Sequence, residues 1–219
     1  NELRDDFSLR GRCEMFRVDL KSMAAAHQLH QGTNLRGHLV WARLPHFRRL
    51  LAIRNISPDE EDVDILQFFT EHHDPDLFME RNAMKRAEFR KLISPLVRSG
   101  FLIQDYRGGF KAVNHSEKSD LWEIKRDYLR ELVSEYPVIT LKQVEKLAGS
   151  PFSAEEISDV MREFEDDGTL IKGFLVDDLQ DICWGRQDML EGLSGIIRTR
   201  DLVIPPSDPL NHYFSGVLR

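Results

Sequence analysis

The sequence predicts a mostly helical α+β fold in which one module is used twice. Residues 114–186 contain three amphipathic segments with helical spacing followed by two short runs typical of strands, and residues 57–113 end in the same way, with a helix, a glycine and a hairpin. A glycine closes the third helix of each stretch, at Gly100 and at Gly168. Three helices followed by a hairpin is the order of a winged-helix domain, a variant of the helix-turn-helix. We therefore predict tandem winged helices.

The third helix of the first module is predicted at residues 79–94 and is the candidate recognition helix. Four residues at helical spacing form its apolar face: Phe89, Leu92, Ile93 and Leu96. Arg90 and Lys91 fall on the opposite face beside the small residue Ala83, which lets the cations approach a phosphate backbone closely. Pro95 removes one helical hydrogen bond, so we expect a kink or a restart of the helix there.

Capping signals mark the starts of three other helices. Ser57 and Glu60 have the spacing of a capping box, and Pro58 occupies the first helical position between them. The same capping-box pattern recurs in the second module at residues 140–143 and 153–156. We expect helices to begin at these three points.

Residues 1–56 show the weakest pattern. A helix is expected between Arg12 and His30, ending at a break over residues 31–34. The segment 35–54 then contains five arginines, no acidic residue and several large apolar side chains. Those side chains can stack on unpaired bases, or pack in a core with the arginines as a solvated rim, and we favour the core. The core candidates are Leu39, Trp41, Leu44, Phe47 and Leu51.

The charge of the chain is unevenly distributed. Residues 1–56 contain ten Lys and Arg against five Asp and Glu, whereas residues 114–184 contain eight against seventeen. This asymmetry predicts an anionic partner for one part and a different role for the other. The predicted division has four parts: a basic N-terminal helical or winged-helix-like segment (1–56), a winged helix with a basic recognition helix (57–113), an acidic winged helix (114–186) and an extended segment (187–219).

The end of the chain is rich in proline. Three prolines lie within residues 204–210, so we expect an extended crossing over a domain surface there. We also expect the protein to continue beyond Arg219, as a fragment of a longer chain would.

Membrane, disulfide and metal proteins do not fit the sequence. It contains neither an apolar run of membrane-spanning length nor a signal-peptide pattern, which predicts a cytoplasmic protein without a membrane partner. Cys13 and Cys183 lack the spacing of a disulfide framework or a zinc site. His72-His73-Asp74 fits the end of a helix better than a ligand cluster. We expect no metal and no cofactor.

The two third helices carry opposite charge. Between Glu80 and Arg98 there are six basic residues against two acidic ones, and between Glu155 and Asp167 there is one against seven. Because phosphates repel carboxylates, only the first module is predicted to contact DNA, as a duplex or a fork. The second is expected to pack on another domain or to bind a basic protein partner.

The predicted nucleic-acid contact consists of cations on the recognition helix, at the hairpin tip 107–109 and in the N-terminal segment. They are Arg86, Arg90, Lys91, Arg98, Arg107, Arg36, Arg48 and Arg49. The two glycines at the tip form a tight turn from which Arg107 can reach an adjacent phosphate. The alternative for the helix face is a solvated basic surface without a partner.

Short motifs resemble two related families of DNA proteins. Gly168-Thr-Leu-Ile-Lys-Gly173 and Cys183-Trp184-Gly-Arg186 resemble the last winged helix in the C-terminal region of Lhr-type superfamily 2 DNA helicases. Arg36-Gly37-His38-Leu39-Val40 is similar to the Arg-Gly-Thr-Leu-His motif of the winged-helix glycosylases that unhook DNA crosslinks. This resemblance implies tandem winged helices and a DNA-binding role accessory to DNA repair or helicase action.

The departures from those families leave the catalytic residues unassigned. The Walker A pattern is missing, which excludes ATP hydrolysis by that route. Gln28-Leu-His-Gln31 has the wrong spacing for the Gln-x-Gln or Gln-x-Asp motif in which the glycosylases resemble one another. Two alternatives to DNA binding alone therefore stay open: a protein-interaction module that uses the acidic second winged helix, and a DNA glycosylase.

Overall fold

The computed structural model divides the chain into two compact units, residues 1–124 and 125–219. The residues that it describes are 3–4, 19–114, 120–175, 181–187 and 190. The described part is a mostly helical α+β fold, which confirms the predicted fold class. The finer division into four parts stays a prediction, and its last part, 187–219, lies almost wholly outside the described residues together with the proline-rich crossing.

The elements follow one another in an order that repeats. The first ten elements in chain order are β1 (Leu3–Arg4), α1 (Leu20–Ala26), β2 (Leu29–Thr33), β3 (Leu39–Arg43), α2 (Leu44–Arg54), α3 (Glu60–Glu71), α4 (Pro75–Arg81), α5 (Arg86–Ser99), β4 (Leu102–Gln104) and β5 (Phe110–Ala112). They continue with α6 (Leu121–Ser134), β6 (Val138–Thr140), α7 (Leu141–Ala148), α8 (Ala154–Asp166), β7 (Ile171–Gly173) and β8 (Cys183–Gly185). Three helices followed by a hairpin thus occur twice, at α3–β5 and at α6–β8, and α4 is a helix that the sequence did not predict as a separate element.

The first unit is built on a five-stranded antiparallel sheet with the order β1-β3-β2-β4-β5. Its β4–β5 hairpin is the wing of the first winged helix. Gln31 of β2 lies opposite Gln104 of β4, so the N-terminal β2–β3 hairpin extends the wing into a larger sheet. Part of the N-terminal segment therefore belongs to the same folded body as the first winged helix.

Helices cover both faces of this sheet. Side chains alternate along a strand, so Gly32 and Ile103 share one face, and Phe47 of α2 lies against Gly32 there. On the other face, Phe110 of β5 packs against Phe89 of α5, with ring centroids 5.9 Å apart. Consequently α2 and α5 lie on opposite faces of the sheet.

A cluster of phenylalanines joins the three helices of the first winged helix to its wing. The Phe69 ring of α3 stacks on Phe78 of α4 at 5.3 Å and meets Phe110 of β5 edge-on at 5.8 Å. Phe89 of α5 lies 5.9 Å from Phe78 and completes the cluster. Such aromatic pairs add to the free energy gained from burying their apolar area.

The recognition helix begins later than predicted. The expected helix at residues 79–94 is divided, because α4 ends at Arg81 and α5 begins only at Arg86. The Glu88 carboxylate accepts a hydrogen bond of 2.8 Å from the Lys85 N–H, which fixes the start of α5. Ala83 has a φ of 48° and lies in the turn between the two helices, so it is not on the recognition face.

Pro95 does not restart the helix. It lies inside α5, which continues to Ser99. Ile93 and Leu96 on either side of the proline are buried, and this packing offsets the single hydrogen bond that proline removes. Gly100 then ends the helix with a φ of 87°, as predicted from its position.

The other predicted helix starts are correct in the second module and wrong in the first. Thr140 Oγ1 accepts a hydrogen bond from the Gln143 N–H at 3.2 Å, and Ser153 Oγ accepts one from the Glu156 N–H at 3.1 Å. In contrast, α3 begins at Glu60 after Asp59, and Ser57 does not cap it. Three acidic residues in its first turn interact favourably with the helix dipole and take the place of a side-chain cap.

The N-terminal prediction holds in part. Helix α1 covers only Leu20–Ala26, and His30 lies in strand β2 rather than in a helix. Residues 5–18 lie outside the described part of the chain. The core interpretation of residues 35–54 is confirmed for Trp41, Phe47 and Leu51, which are buried, whereas Leu39 is 47% exposed.

The second unit contains a three-stranded sheet with the order β6-β8-β7. Five fully buried side chains from its helices and β6 form a largely aliphatic core: Leu129, Ile139, Ile157, Met161 and Phe164. Across the ranges that the structure describes, no helix has the length and apolar character needed to span a bilayer. Within the same ranges, no cluster of three His, Cys, Asp or Glu is suited to hold a metal ion.

Candidate nucleic-acid interface

The exposed face of α5 carries four of the predicted contact residues. Arg86, Arg90, Lys91 and Arg98 are turned away from the core, and all four are exposed. The opposite face, formed by Phe89, Ile93 and Leu96, is buried. The amphipathic spacing of this helix therefore turns the four cations outward while the apolar residues pack in the core.

The positive charge of this face is not neutralised by neighbouring carboxylates. None of the four cations forms an ion pair with another residue in the described ranges. Glu88 is the single acidic residue on α5, and its carboxylate accepts the Lys85 N–H at the start of the helix. The surface thus offers an anion four cations without requiring an existing ion pair to break.

The wing tip holds Arg107 in a defined turn. The Asp105 carboxylate accepts hydrogen bonds from the N–H of Arg107 at 2.7 Å and from the N–H of Gly109 at 2.9 Å. Gly108 has a φ of 92°, a conformation that glycine adopts without steric cost. The Arg107 guanidinium lies 5.2 Å from the centre of the Tyr106 ring. The turn therefore fixes the backbone of Arg107 and leaves its side chain exposed.

Arg54 ties the end of α5 to the β2–β3 turn. Its guanidinium donates hydrogen bonds to the carbonyl oxygens of Ser99 and Asn34, each at 2.7 Å. Arg36 lies in that same turn, where its N–H donates to the Asn34 side chain at 3.1 Å. The structure thus brings Arg36 to the end of α5 that carries Arg98. The prediction from the sequence did not include Arg54, because no local pattern marks an arginine that binds carbonyls 20 and 45 residues away.

Arg48 and Arg49 occupy a different place. Both lie on α2, which covers the face of the sheet opposite to α5. Arg48 is exposed, whereas Arg49 is partly buried and its guanidinium lies 3.4 Å from His46 Nδ1. The structure does not bring these two arginines to the α5 surface, and a role for them in binding stays a prediction.

The acidic helix of the second winged helix is electrostatically compensated. Cations of its own unit pair with five carboxylates on or directly after α8. The pairs are Lys125–Glu156 (2.6 Å), Arg162–Asp159 (3.1 Å), Arg126–Glu163 (4.0 Å), Lys172–Glu165 (3.4 Å) and Arg130–Asp167 (3.0 Å). Hydrogen bonds from Thr169, followed by the charges of Arg130 and Arg126, lower the pKa of Asp167. The large negative charge of this helix is therefore partly neutralised inside the module.

Comparison with known proteins finds a similar fold but no similar sequence. No protein-family model and no curated protein sequence matches this chain. Its fold is similar to that of the DNA glycosylase AlkZ of Streptomyces sahachiroi, with a TM-score of 0.61 and 14% sequence identity. The match covers 90% of this chain and 64% of the glycosylase chain, so this chain spans less than two thirds of that protein. The expected resemblance to winged-helix glycosylases is confirmed for the fold, and the resemblance to Lhr-type helicases stays a prediction.

Proposed function

We propose that this chain binds DNA through its first winged helix, in a role accessory to DNA repair or helicase action. The exposed cations of α5 contact the phosphates of a duplex or a fork. Arg107 reaches an adjacent phosphate from the wing, and Arg36 extends the contact at the far end of the helix. The observation that carries this proposal is the α5 face, whose four cations have no carboxylate partner among the described residues.

The wing and the helix suit a groove because of their spacing and attachment. The aromatic cluster packs both elements on one core, so the helix and the wing tip keep a fixed relation to each other. A recognition helix and an adjacent hairpin that hold cations in fixed positions can contact phosphates of the duplex together. Phosphate contacts of this kind provide affinity without selecting a sequence.

The repair assignment rests on two separate likenesses. The fold is similar to that of an enzyme named as a DNA glycosylase. The motifs around Gly168 and Trp184 resemble the last winged helix of Lhr-type helicases, which favours a role beside a helicase. Both likenesses support a protein that works on DNA.

A double substitution of Arg90 and Lys91 to Ala tests the proposal. Removing one phosphate-binding cation lowers the slope of log affinity against log salt by about one, so we expect the slope to fall by roughly two. Binding should weaken similarly for every duplex sequence, since phosphate contacts carry no sequence information. The measurement is fluorescence anisotropy with labelled duplex and forked DNA over a series of salt concentrations.

A matched control comes from the second winged helix. Lys142 and Lys146 lie on α7, and replacing both by Ala removes the same number of charges from the chain. The control protein should bind DNA with nearly the affinity and the salt slope of the unsubstituted protein. Any difference should be no larger than the loss of two positive charges from the net charge explains. The proposal is wrong if the double substitution on α5 behaves like this control.

DNA glycosylase activity is a second candidate function, supported by the fold similarity to AlkZ. No catalytic residue is assigned to it, because the family's glutamine motif is not matched at residues 28–31. Incubation with alkylated DNA, followed by chromatography of released bases, tests it directly. Release of bases would show that the protein is a DNA glycosylase. If no base is released, the proposed function is DNA binding without catalysis.

Protein binding by the second winged helix is the other alternative. Its support is an exposed apolar group on the hairpin of that module, where Phe174 is 73% exposed beside exposed Ile171 and Ile182. Such groups occur at protein contacts. Replacing Phe174 by Ser should then abolish capture of a partner and leave DNA affinity unchanged. If the unsubstituted protein and the Phe174→Ser variant capture the partner equally, this surface is not the protein contact.

A further inference from the structure

A cavity of about 490 Å³ lies in the first unit, where β2, β5 and the N-terminus of α2 meet. Its polar wall is formed by His27, His30, Arg43 and Lys111. His30 alternates with Gln31, and Lys111 lies opposite Ile103, so both His30 and Lys111 point to the sheet face that α2 covers. The cavity is therefore on the opposite face of the sheet from α5 and is separate from the basic surface described above.

The charge of this cavity is entirely positive. Arg43 and Lys111 are its two cationic side chains, and the described lining includes no Asp or Glu. Neither cation has an ion-pair partner in the described ranges. Two cations and two imidazoles around one concave space are typical of a site for an anion.

His30 has a buried nitrogen that lacks a partner. Its Nδ1 is shielded from solvent and forms no hydrogen bond with any described group. Burial lowers the pKa of His30, and the charges of Lys111 and His73 lower it further. Asp105 and the Gln28 carbonyl act in the opposite direction but do not outweigh them. Because Nδ1 is shielded, an oxyanion in the cavity would contact the His30 ring at Nε2, and its negative charge would oppose the lowering of that pKa by burial and by Lys111.

The N-terminus of α2 adds a further positive element. Arg43 precedes this 11-residue helix, and no side chain caps its first turn. Leu44 and Pro45, the first two residues of the helix, line the cavity. Pro45 has no N–H, so of these two residues Leu44 offers the N–H whose partial positive charge favours a bound oxyanion.

We propose that this cavity binds a phosphate group of a nucleic-acid strand. Arg43 and Lys111 neutralise the phosphate charge, the Leu44 N–H at the start of α2 donates a hydrogen bond to one of its oxygens, and the His30 ring contacts it through Nε2. The nucleic-acid source rests on the proposed DNA binding, whereas the affinity for phosphate itself does not. The cavity volume lies within the roughly 300–1,000 Å³ of small-molecule sites, so a nucleotide at a strand end fits as well as a backbone phosphate.

Calorimetric titration of the full chain with inorganic phosphate tests the site, with chloride at equal ionic strength as the reference. Lys111→Met and Arg43→Gln each remove one charge, and each should weaken phosphate binding roughly tenfold. Arg43 is exposed, so its substitution is compatible with folding, and circular dichroism checks both variants. Lys142→Met, which removes an exposed charge on α7, should bind phosphate like the unsubstituted protein.

A short oligonucleotide with a 5′-phosphate, compared with the same strand carrying a 5′-hydroxyl, identifies the source. If Lys111→Met weakens both strands equally, the cavity holds a backbone phosphate. If it weakens only the phosphorylated strand, the cavity holds a strand end. The Arg90→Ala and Lys91→Ala double variant should keep its affinity for inorganic phosphate, which separates this site from the α5 surface. Phosphate binding no stronger than chloride binding, or unchanged in both Lys111→Met and Arg43→Gln, would overturn the proposal.

Discussion

The two winged helices of this chain share an order of elements and differ in what surrounds their third helix. Helix α5 carries four cations and one carboxylate, and its cations have no ion-pair partner in the described ranges. Helix α8 carries six carboxylates and one cation, and cations of α6 and β7 lie beside several of those carboxylates. The fold fixes where the third helix lies, whereas the neighbouring elements decide whether its charge is available to a partner.

The cores of the two modules differ as well. The first joins its helices and wing through a phenylalanine cluster, whereas the second has a more aliphatic core in which Tyr128 stacks on Phe152. Large flat rings packed edge-to-face hold their neighbours in fixed orientations. This cluster therefore holds α5 and the wing of the first module in a fixed relative position, and substituting one of its rings tests that role directly.

The largest expected effect is on the stability of the first unit. Phe69 is fully buried at the centre of the cluster, so Phe69→Ala should lower the free energy of unfolding by about 3–5 kcal/mol. Phe68 packs on the same cluster, with its ring 5.0 Å from that of Phe78, but is partly exposed, so Phe68→Ala should cost less. Urea unfolding followed by circular dichroism measures both. Equal costs would mean that the burial of Phe69 does not decide its contribution.

The ends of the two third helices provide a second contrast. Arg54 donates three hydrogen bonds to carbonyls near the end of α5, whereas Arg130 forms an exposed pair with Asp167 after α8. Arg54→Met should cost about 2–3 kcal/mol because it leaves those carbonyls without a charged donor. Arg130→Met should cost less than about 1 kcal/mol, as exposed pairs do. A cost for Arg130→Met equal to that of Arg54→Met, by thermal or urea unfolding, contradicts this assignment.

A smaller effect is expected from the pair between α6 and α8. Burial acts to raise the pKa of Glu156, but hydrogen bonds from Lys125 and Ser153 and the Lys125 charge outweigh it and lower that pKa. Because the folded pKa lies below the ordinary 4.5, the pair stabilises the fold above that pH and loses its effect as pH falls through the folded value. Glu156→Gln keeps an acceptor for the Ser153 N–H and should cost roughly 0.5–1 kcal/mol at neutral pH.

Unfolding of the two proteins at several pH values checks the sign of this effect. The difference between them should shrink on acidification and vanish once Glu156 is protonated. A difference that persists at low pH would show that the substitution acts through packing or capping instead of charge.

Local patterns predicted most of the second module and only part of the first. The capping boxes at Thr140 and Ser153, and the glycine that ends α5, depend on neighbouring residues, so their positions were predicted correctly. The start of α5 was misplaced because residues 79–86 contain no glycine or proline that would mark the turn at Ala83. Pro95 was expected to restart the helix, but the tertiary packing of Ile93 and Leu96 prevails over that local preference.

The candidate sites depend on long-range pairing that the sequence does not reveal. His30 of β2 and Lys111 of β5 line the same cavity because both strands pair with β4 and the two side chains lie on the same face of the sheet. Nothing in the sequence between residues 30 and 111 indicates this arrangement. Arg48 and Arg49 looked equivalent to Arg36 in the sequence, yet the sheet separates α2 from α5. The exposed face of α5 was predictable because its pattern lies within a single helix.

The most direct test of DNA binding by the first module is a nuclear magnetic resonance titration of the full, isotope-labelled chain with duplex DNA. If the first winged helix is the contact, amide shifts should concentrate on Arg86–Ser99 and on the wing turn 105–109. Residues of α8 should show little change, since its carboxylates are repelled by phosphates. Shifts that concentrate on α8, with none on α5, would contradict the central claim that unpaired charge on α5 makes the first module the DNA-binding one.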